Sequence, residues 1–301
     1  MRVVIAGGTG FLGGALTRIL EADGHRVTVL TRRAAGPRQV EWDPATPGGA
    51  WTATVSQADA VINLAGESIT GGRWTPARKQ ALLDSRIGAT SALAQAIAAA
   101  GGDTVFLSAS GIGVYGTSER HTFTEESPAG SDFLADLCVK WERTAMQAAP
   151  RSRVVLLRTG VVLGHDGGAL PELTRPFRFF AGGPIGSGRQ AVSWIHLDDW
   201  LQMTTWAMTN VQVQGPLNLT APEPVTNAEL AKALGSALHR PSLITAPAFA
   251  LRLMLGEMAE AAILNGQRVL PAKAMALGYT FRYRRLAEAL DALFAVTPTA
   301  P

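Results

Sequence analysis

Short apolar runs alternate with amphipathic stretches over the first half of the chain. Strands are expected at the apolar runs, which cover residues 2–6, 27–30, 39–43, 60–66, 104–107 and 153–158. Helices are expected between them, over residues 13–22, 76–100 and 132–148. Apolar strands that alternate with amphipathic helices are typical of a parallel sheet with both faces covered. The pattern therefore predicts an α/β fold with a doubly wound parallel sheet.

The regular alternation ends after the strand predicted at residues 153–158. Two glycine-rich loops and one short strand are predicted next, at residues 164–168, 182–188 and 214–219. Residues 222–239 read as a loop and a helix, with Thr226 or Asn227 as the N-cap. Residues 247–293 are expected to be largely helical. The second half of the chain thus departs from the strand and helix order of the first.

A glycine-rich turn follows the first apolar run directly. Gly7, Gly10 and Gly13 each have a separate task in such a turn: the tight bend, close approach of the backbone to a pyrophosphate, and packing of helix on strand. The helix that follows points free N–H groups and its positive dipole end at the phosphates. Thr9, Phe11 and Leu12 belong to the same turn. Strand, turn, helix and returning strand together predict a dinucleotide-binding unit.

The end of the second predicted strand indicates which dinucleotide binds. An NAD site places Asp or Glu there to hold the ribose 2′-hydroxyl, whereas an NADP site uses Arg on the 2′-phosphate. This chain has Thr31-Arg32-Arg33 and no acid. A guanidinium binds phosphate with paired, charge-assisted hydrogen bonds. The sequence favours NADP(H), and the alternative is a solvated pair of arginines on a loop.

The chain is expected to divide into two structured parts and a tail. Residues 1–220 form the predicted NADP-binding domain, with pocket-forming loops contributed after residue 160. Residues 221–295 form a smaller, mainly helical lobe, and residues 296–301 a disordered tail. Length supports this division, since 301 residues suit one large domain with a smaller lobe better than two equal domains.

Composition and charge limit the kinds of partner that the protein is expected to bind. The chain is 47% hydrophobic and 17% charged, which is ordinary for a globular protein. Its net charge of +3 is small and its basic residues form no run, so no nucleic-acid partner is expected. Without a long apolar stretch or a leader segment before the first strand, neither a membrane partner nor secretion is expected. The single cysteine, Cys138, excludes a disulfide framework and zinc spacing, and the cytoplasm is the expected compartment.

Several motifs resemble those of extended short-chain dehydrogenases/reductases. They are the turn at residues 7–13, Asp-Ala-Val-Ile-Asn-Leu-Ala-Gly at 59–66, Val-Tyr-Gly at 114–116 and Trp-Ile-His-Leu-Asp-Asp at 194–199. Further segments resemble the NAD-dependent epimerase/dehydratase-like branch of that superfamily with a C-terminal domain of unknown function, at residues 63–67, 85–86, 158–164, 182–190 and 266–271. The likeness covers nearly the whole chain. It implies a Rossmann-type sheet and a nicotinamide cofactor.

The resemblance also implies roles for individual residues. Asp59 would lie near the adenine, and Leu64, Ala65 and Gly66 would line the cofactor. Arg86 would reach the phosphate or ribose region. In the half of the chain that forms the substrate pocket in extended members, the expected substrate-binding residues are Arg189, Trp194 and His196, although a satisfied buried histidine is the plainer interpretation of His196.

The catalytic positions depart from the family pattern. Superfamily enzymes use a Tyr as proton donor or acceptor and a Lys four residues later that lowers its pKa. If Glu142 fixes the frame, Leu134 and Cys138 stand at these two positions, and neither side chain can do this work. A frame shifted by two residues offers Asp136 and Lys140, which are more simply a surface ion pair.

Substitute catalytic residues can still be nominated. Glu67 follows a predicted strand at its carboxyl end, where open α/β sheets place their sites. Tyr115 and Ser110 lie near the region where the family has its Ser and Tyr. No metal site is expected.

Three functions remain open at this point. The first is an NADP(H)-dependent oxidoreductase or epimerase-like enzyme that acts on an unknown small molecule. The second is a non-catalytic NADP(H) binder that senses redox state or engages a protein, which the missing Tyr and Lys favour. The third, nucleotide-sugar binding without reduction, rests on fold analogy alone. The sequence does not indicate the oligomeric state.

Overall fold

The computed structural model describes residues 1–46, 48–70 and 72–295. The predicted disordered tail, 296–301, lies outside the described residues. The chain forms two compact units that interleave along the sequence. The first unit contains residues 1–116, 128–159 and 201–219, and the second contains 117–127, 160–200 and the chain after residue 219. The division at residue 220 that the sequence suggested remains a prediction.

Fourteen strands are described. In chain order they are β1 (Arg2–Ala6), β2 (Arg26–Thr31), β3 (Gln39–Glu41), β4 (Ala60–Asn63), β5 (Val105–Gly111), β6 (Thr122–Phe123), β7 (Arg153–Thr159), β8 (Val161–Gly164), β9 (Gly167–Gly168), β10 (Ala191–Val192), β11 (Trp194–His196), β12 (Gly215–Leu219), β13 (Val225–Thr226) and β14 (Arg268–Val269).

Eleven α-helices are described. They are α1 (Phe11–Ala22), α2 (Ala50–Ser56), α3 (Pro76–Ala100), α4 (Phe133–Ala145), α5 (Leu170–Arg178), α6 (Leu197–Thr209), α7 (Asn227–Ala237), α8 (Ala248–Leu255), α9 (Glu257–Ala259), α10 (Ala272–Ala276) and α11 (Leu286–Phe294). Short 3₁₀ turns cover Ile112–Tyr115 and Met146–Ala148, and a π-helix covers Glu260–Leu264. None of the described helices is long and apolar enough to cross a membrane.

A seven-stranded sheet organises the first unit. Its strand order is β12-β7-β5-β4-β1-β2-β3, and every neighbouring pair is parallel. The order reverses at β1. The next two strands of the chain, β2 and β3, lie on one side of β1, whereas β4 lies on its other side. Ligands bind doubly wound sheets beside such a reversal, outside the carboxyl ends of the strands. The predicted Rossmann-type sheet is confirmed.

The core of the first unit explains why its strands read as continuous apolar runs. All four residues of β4 are buried, as are four of the five in β1. Trp51 and Val55 of α2 and Leu93 of α3 pack with sheet residues such as Phe106 in one cluster. Strands buried on both faces have no polar alternation.

The second unit has small sheets and a separate core. β11 pairs in parallel with β8, which pairs antiparallel with β9, while β10–β13 and β14–β6 form two-stranded ladders. Ser193 ties β14 to the strand region before β11, because its Oγ donates to Gln267 O (2.8 Å) and accepts from Val269 N (2.8 Å). Helices dominate its C-terminal part, as predicted.

Most of the predicted strands and helices are present in the structure, but their first and last residues differ from the predicted ones. α1 begins at Phe11 rather than Gly13, because Gly10 is the extended N-cap residue (φ −80°, ψ 176°). Thr226, one of the two predicted caps, caps α7 in a reciprocal capping box with Glu229. The sequence interpretation missed α2, α5 and α6, and also the short strands of the second unit: β6, β8, β9, β10, β11, β13 and β14.

Candidate functional site

A cavity of about 430 Å³ opens at the carboxyl ends of β1, β2, β3 and β4. It lies where the strand order reverses, so the position agrees with the rule for open α/β sheets. Residues from four strand ends and from α3 line it: Gly7, Thr9, Gly10, Leu30, Thr31, Arg32, Trp42, Pro44, Leu64, Ala65, Gly66, Glu67, Ser85 and Ala89. Eight of the predicted cofactor residues are therefore brought together, and so is Glu67.

The glycine turn between β1 and α1 is built from close backbone approaches. Gly7 has φ +80°, and a Cβ there would lie 2.7 Å from the backbone of Leu64. A Cβ on Gly13 would lie 2.3 Å from Gly7 O. A Cβ on Gly10 would meet only Gly7 O, at 3.4 Å, because this glycine faces the cavity. Gly7 and Gly13 thus hold the turn together, while Gly10 leaves space in front of it.

The first turn of α1 directly follows the glycine turn that lines the cavity. Phe11 and Leu12 are its first two residues, and neither of them lines the cavity. The N–H groups of a first helical turn have no acceptor within the helix. The turn therefore presents free N–H groups and the positive end of the helix dipole, the arrangement that binds phosphate elsewhere.

Arg32 follows β2 at the cavity rim. Its side chain is exposed, and no hydrogen bond or ion pair of its guanidinium is found within the described ranges. Arg33, the next residue, does not line the cavity, and its backbone contacts the Thr31 hydroxyl. The position after β2 therefore offers a positive charge and no carboxylate.

Arg86 supports the part of the cavity wall that follows β4, but it does not line the cavity itself. The guanidinium of Arg86 is buried and donates to the backbone oxygens of Glu67 (2.8 Å) and Leu82 (3.2 Å). It also lies 5.1 Å from the ring of Trp141, and burial lowers its pKa. A Cβ on Gly66 would lie 3.3 Å from the Arg86 side chain. Arg86 thus fixes the loop that lines the cavity from behind.

Glu67 presents its carboxylate at the cavity edge. Its side chain is 49% exposed and forms an ion pair with Arg78 of α3. Its backbone N–H donates to Ser85 Oγ at 3.2 Å. The carboxylate is therefore positioned by α3 while it remains open to solvent.

Asp59 does not lie at the cavity, although the family resemblance implied a position near the adenine. This residue precedes β4, and its carboxylate accepts from the backbone N–H of Arg2 (2.6 Å) at the start of β1. Both residues lie at the amino ends of their strands, whereas the cavity lies at the carboxyl ends. Asp59 is separated from the cavity by the length of β4, so it does not belong to an adenine site there.

Ser110 and Tyr115 belong to a buried polar network in the first unit. Ser110 Oγ donates to Glu142 Oε1 (2.7 Å), and Arg158 donates to both carboxylate oxygens of Glu142 (2.8 and 2.7 Å). Arg158 also donates to the Tyr115 hydroxyl (2.9 Å), which itself donates to Asn218 Oδ1 (2.7 Å). All five residues are at most 9% exposed. The hydroxyls of Ser110 and Tyr115 are engaged in protein contacts and do not line the cavity.

In the frame set by Glu142, the helix positions of the family's Tyr and Lys hold side chains of another kind. Leu134 packs against Gly113, whose added Cβ would lie 3.2 Å from Leu134 Cβ. Cys138 is buried, and desolvation, followed by the nearby charge of Glu142, raises the pKa of its thiol to about 11. Asp136 and Lys140 form an exposed ion pair at 2.7 Å, as the plainer interpretation of that pair predicted.

The predicted substrate residues belong to the second unit. Trp194 is fully buried, and its Nε1 donates to Glu223 O (3.0 Å). His196 is buried, its Nδ1 accepts from the Asp198 N–H (3.0 Å), and its ring lies 4.0 Å from that of Tyr283. Burial lowers the pKa of His196. Arg189 is exposed. Trp194 and His196 therefore pack in this unit as satisfied core residues.

Sequence reasoning missed several cavity residues. They are Leu30, Trp42, Pro44, Ser85 and Ala89. Trp42 and Pro44 come directly after β3, so the rule that sites collect at carboxyl strand ends was sufficient to nominate them. Ser85 and Ala89 approach from α3; the family-like segment at residues 85–86 contains Ser85, whereas no local pattern marks Ala89.

Two family models match consecutive parts of the chain. Residues 3–219 match the model of the NAD dependent epimerase/dehydratase family. Residues 246–293 match a domain of unknown function, DUF1731. The two matches fall on the sheet-containing part and on the helical C-terminal part of the chain.

Individual relatives match over nearly their full length. The chloroplastic SDR39U1 homolog of Arabidopsis thaliana, an epimerase family protein, is 44% identical over 97% of this chain and 86% of its own length. The epimerase family protein YfhF of Bacillus subtilis is 42% identical over 98% of both chains. The crystal structure of human epimerase family protein SDR39U1 with NADPH matches with a TM-score of 0.90 and 38% identity, over 98% of this chain and 99% of that one.

Proposed function

The chain belongs to the NAD dependent epimerase/dehydratase family, and we propose that its first unit binds NADP(H) for an oxidoreductase or epimerase-like reaction on a small molecule. One observation carries the proposal: the cavity combines a glycine turn, a free helix N-terminus and an arginine without a partner in the described ranges. Phosphate groups suit all three. The human relative whose structure contains NADPH supports the same cofactor.

The residues fit the cofactor in separate ways. Gly10 leaves the space that a pyrophosphate needs, and the first turn of α1 begins directly after this glycine, at Phe11. Arg32 holds the 2′-phosphate, and Arg33 adds positive charge beside it. Leu64 and Ala65 form the apolar wall after β4. Hydride exchange at the nicotinamide is the chemistry that this cofactor supplies when it is bound.

A glycine substitution with a matched control tests this site. We expect Gly10→Val to lower NADPH affinity at least about tenfold, because its side chain fills the space in front of the turn. Gly102→Val is the control, since a Cβ at Gly102 meets nothing within 4 Å and the residue lies outside the cavity. Fluorescence titration with NADPH measures both, and circular dichroism verifies folding. A folded Gly10→Val protein with wild-type affinity contradicts the site.

Glu67 is the proposed acid or base of the reaction. Of the three nominated residues, it alone lines the cavity, whereas Ser110 and Tyr115 are engaged in the buried network. Its carboxylate is held by Arg78 and stays accessible to solvent. Ser110 and Tyr115 are proposed to position the strand ends around the site rather than to transfer a proton.

A turnover assay tests the proposed role of Glu67. NADPH consumption is followed with a mixture of small metabolites, and the active compound is then purified. We expect Glu67→Gln to lower turnover by about a hundredfold with NADPH affinity unchanged, as for loss of general acid or base catalysis. Asp84→Asn, on an exposed position of α3 outside the cavity, should leave turnover unchanged. Equal turnover of wild type and Glu67→Gln assigns the proton transfer to another group.

One observation favours a second function. Leu134 and Cys138 occupy the positions of the family's Tyr and Lys, and the pKa of Cys138 is near 11. A protein without these groups is suited to bind NADP(H) as a sensor that engages a protein partner. Tight NADPH binding, no turnover of any metabolite and NADPH-dependent capture of a protein would support the sensor. Roles of Arg189, Trp194 and His196 in substrate binding, and a cytoplasmic location, remain predictions.

A further inference from the structure

Large hydrophobic side chains are exposed together in the second unit. Of the eleven large hydrophobics found exposed among the described residues, seven come from two short segments of this unit. They are between 55% and 83% exposed: Phe179, Phe180, Leu243, Ile244, Phe249, Leu253 and Met254. We refer to these seven residues as the apolar face. Contiguous exposed apolar surface of this kind marks interaction sites in soluble proteins.

Backbone hydrogen bonds hold the two segments side by side. Ile244 N donates to Gly182 O (3.1 Å), and Ala246 N donates to Pro184 O (2.9 Å). Gly186 N then donates to Ala246 O (2.9 Å). The segment with Phe179 and Phe180 therefore lies next to the strand-like segment that leads into α8, and the seven side chains belong to one part of the surface.

Helix α8 presents apolar side chains outward. None of its eight residues is buried. Phe249 and Leu253 are four residues apart, so they share one face of the helix, and they are 72% and 75% exposed. The apolar side chains of α8 do not pack against the protein core. Helices that lie in a membrane–water interface expose apolar side chains in this way.

The charge around the apolar face is net positive. Residues 172–187 and 236–257 contain four arginines and two glutamates, Glu172 and Glu257. The arginines are Arg175, Arg178, Arg240 and Arg252. The Arg240 guanidinium lies 4.7 Å from the ring centroid of Phe180, and Arg252 forms an ion pair with Glu260 outside these segments. Arg240 thus lies against one of the exposed rings, and Arg175 and Arg178 are exposed shortly before Phe179 in the chain.

We propose that the apolar face and its arginines dock the protein on an anionic lipid surface. Phe179, Phe180 and the α8 side chains would enter the boundary between headgroups and acyl chains, while the arginines contact lipid phosphates. A second copy of this chain is disfavoured as the occupant, because two like-charged faces repel each other. The proposal departs from the sequence-based expectation of no membrane partner, and it does not depend on NADP(H) binding.

Vesicle sedimentation with the full chain tests the proposal. We expect binding to vesicles of phosphatidylcholine and phosphatidylglycerol, a decrease in binding as salt rises, and little binding to phosphatidylcholine alone. Replacing one of the apolar side chains that enter the bilayer with serine should weaken binding about tenfold. Phe249→Ser with Leu253→Ser should therefore lower affinity about a hundredfold, and Arg175→Glu with Arg178→Glu should also abolish the preference for anionic vesicles.

The control is an exposed apolar residue outside the face. Val211 is 78% exposed in the first unit, and Val211→Ser should bind vesicles as the wild type does. All changed residues are exposed, so melting curves should stay close to the wild type. The proposal is overturned by absence of binding to the phosphatidylglycerol vesicles, or by unchanged binding of the Phe249→Ser, Leu253→Ser protein. It is also overturned if the wild type forms a vesicle-free dimer that this double variant abolishes.

Discussion

The buried ion pair between Glu142 and Arg158 makes a quantitative prediction about stability. Its side chains are 11% and 9% exposed, and Arg158 contacts both carboxylate oxygens. Arg158→Met leaves the Glu142 charge buried without its main partner. Loss of one partner of a buried pair costs about 3–5 kcal/mol. We expect the free energy of unfolding of Arg158→Met to fall by that amount.

A double variant separates the charge from the packing. Glu142→Leu with Arg158→Met removes both charges, which is often nearly neutral for a buried pair. Ser110 and Tyr115 then each lose a partner, so a cost of about 1–3 kcal/mol remains. The double variant should therefore be more stable than Arg158→Met alone, although it carries one more substitution.

Urea unfolding followed by fluorescence and circular dichroism measures these changes. Lys140→Met is the matched control, because Lys140 is 52% exposed on the same helix and its pair with Asp136 should contribute less than about 0.5 kcal/mol. The reasoning is refuted if Arg158→Met costs less than about 1 kcal/mol. It is also refuted if the double variant costs as much as Arg158→Met alone, or more.

Two further predictions concern titrating groups. Burial lowers the pKa of His196 below its ordinary value of 6.5, so the unfolded chain binds protons first as the pH falls. The stability of the wild type relative to His196→Asn should be constant above about pH 7.5 and fall below pH 6.5, by at most about 1.4 kcal/mol per pH unit in urea titrations; a difference independent of pH contradicts this. The raised pKa of Cys138, about 11, should make its thiol react with a disulfide reagent at pH 7 at least about a hundredfold more slowly than free cysteine. Rapid labelling of the native protein would place that thiol in an open environment.

The sequence predicts the cofactor side of the molecule because local signals determine it. Gly7, Gly10 and Gly13 lie within one turn, and Arg32 directly follows a strand, so their positions follow from the order of elements. The predicted start of α1 was two residues late, because Gly10 is the N-cap and the helix begins at Phe11. Asp59 was misplaced although the sequence already put it before the strand predicted at residues 60–66, at the amino end and away from the carboxyl ends where such sheets bind ligands.

The polar network could not be predicted from local pattern. Ser110 and Glu142 are 32 residues apart, and Tyr115 and Asn218 are 103 apart. Only the strand order brings β5, β7 and β12 side by side and aligns these side chains. Arg158, which follows four apolar residues near the end of β7, was the one available signal, since a buried guanidinium requires hydrogen-bond acceptors.

Titration calorimetry with NADPH and NADH tests the central claim most directly, on the wild type and on Arg32→Ala. The account predicts that the wild type prefers NADPH because Arg32 binds the 2′-phosphate and no carboxylate opposes it. Arg32→Ala should weaken NADPH binding by roughly 1.5–3 kcal/mol, about ten- to a hundredfold, and leave NADH binding unchanged. A wild type that binds NADH as tightly as NADPH, or an Arg32→Ala protein that keeps the full preference for NADPH, would contradict the account.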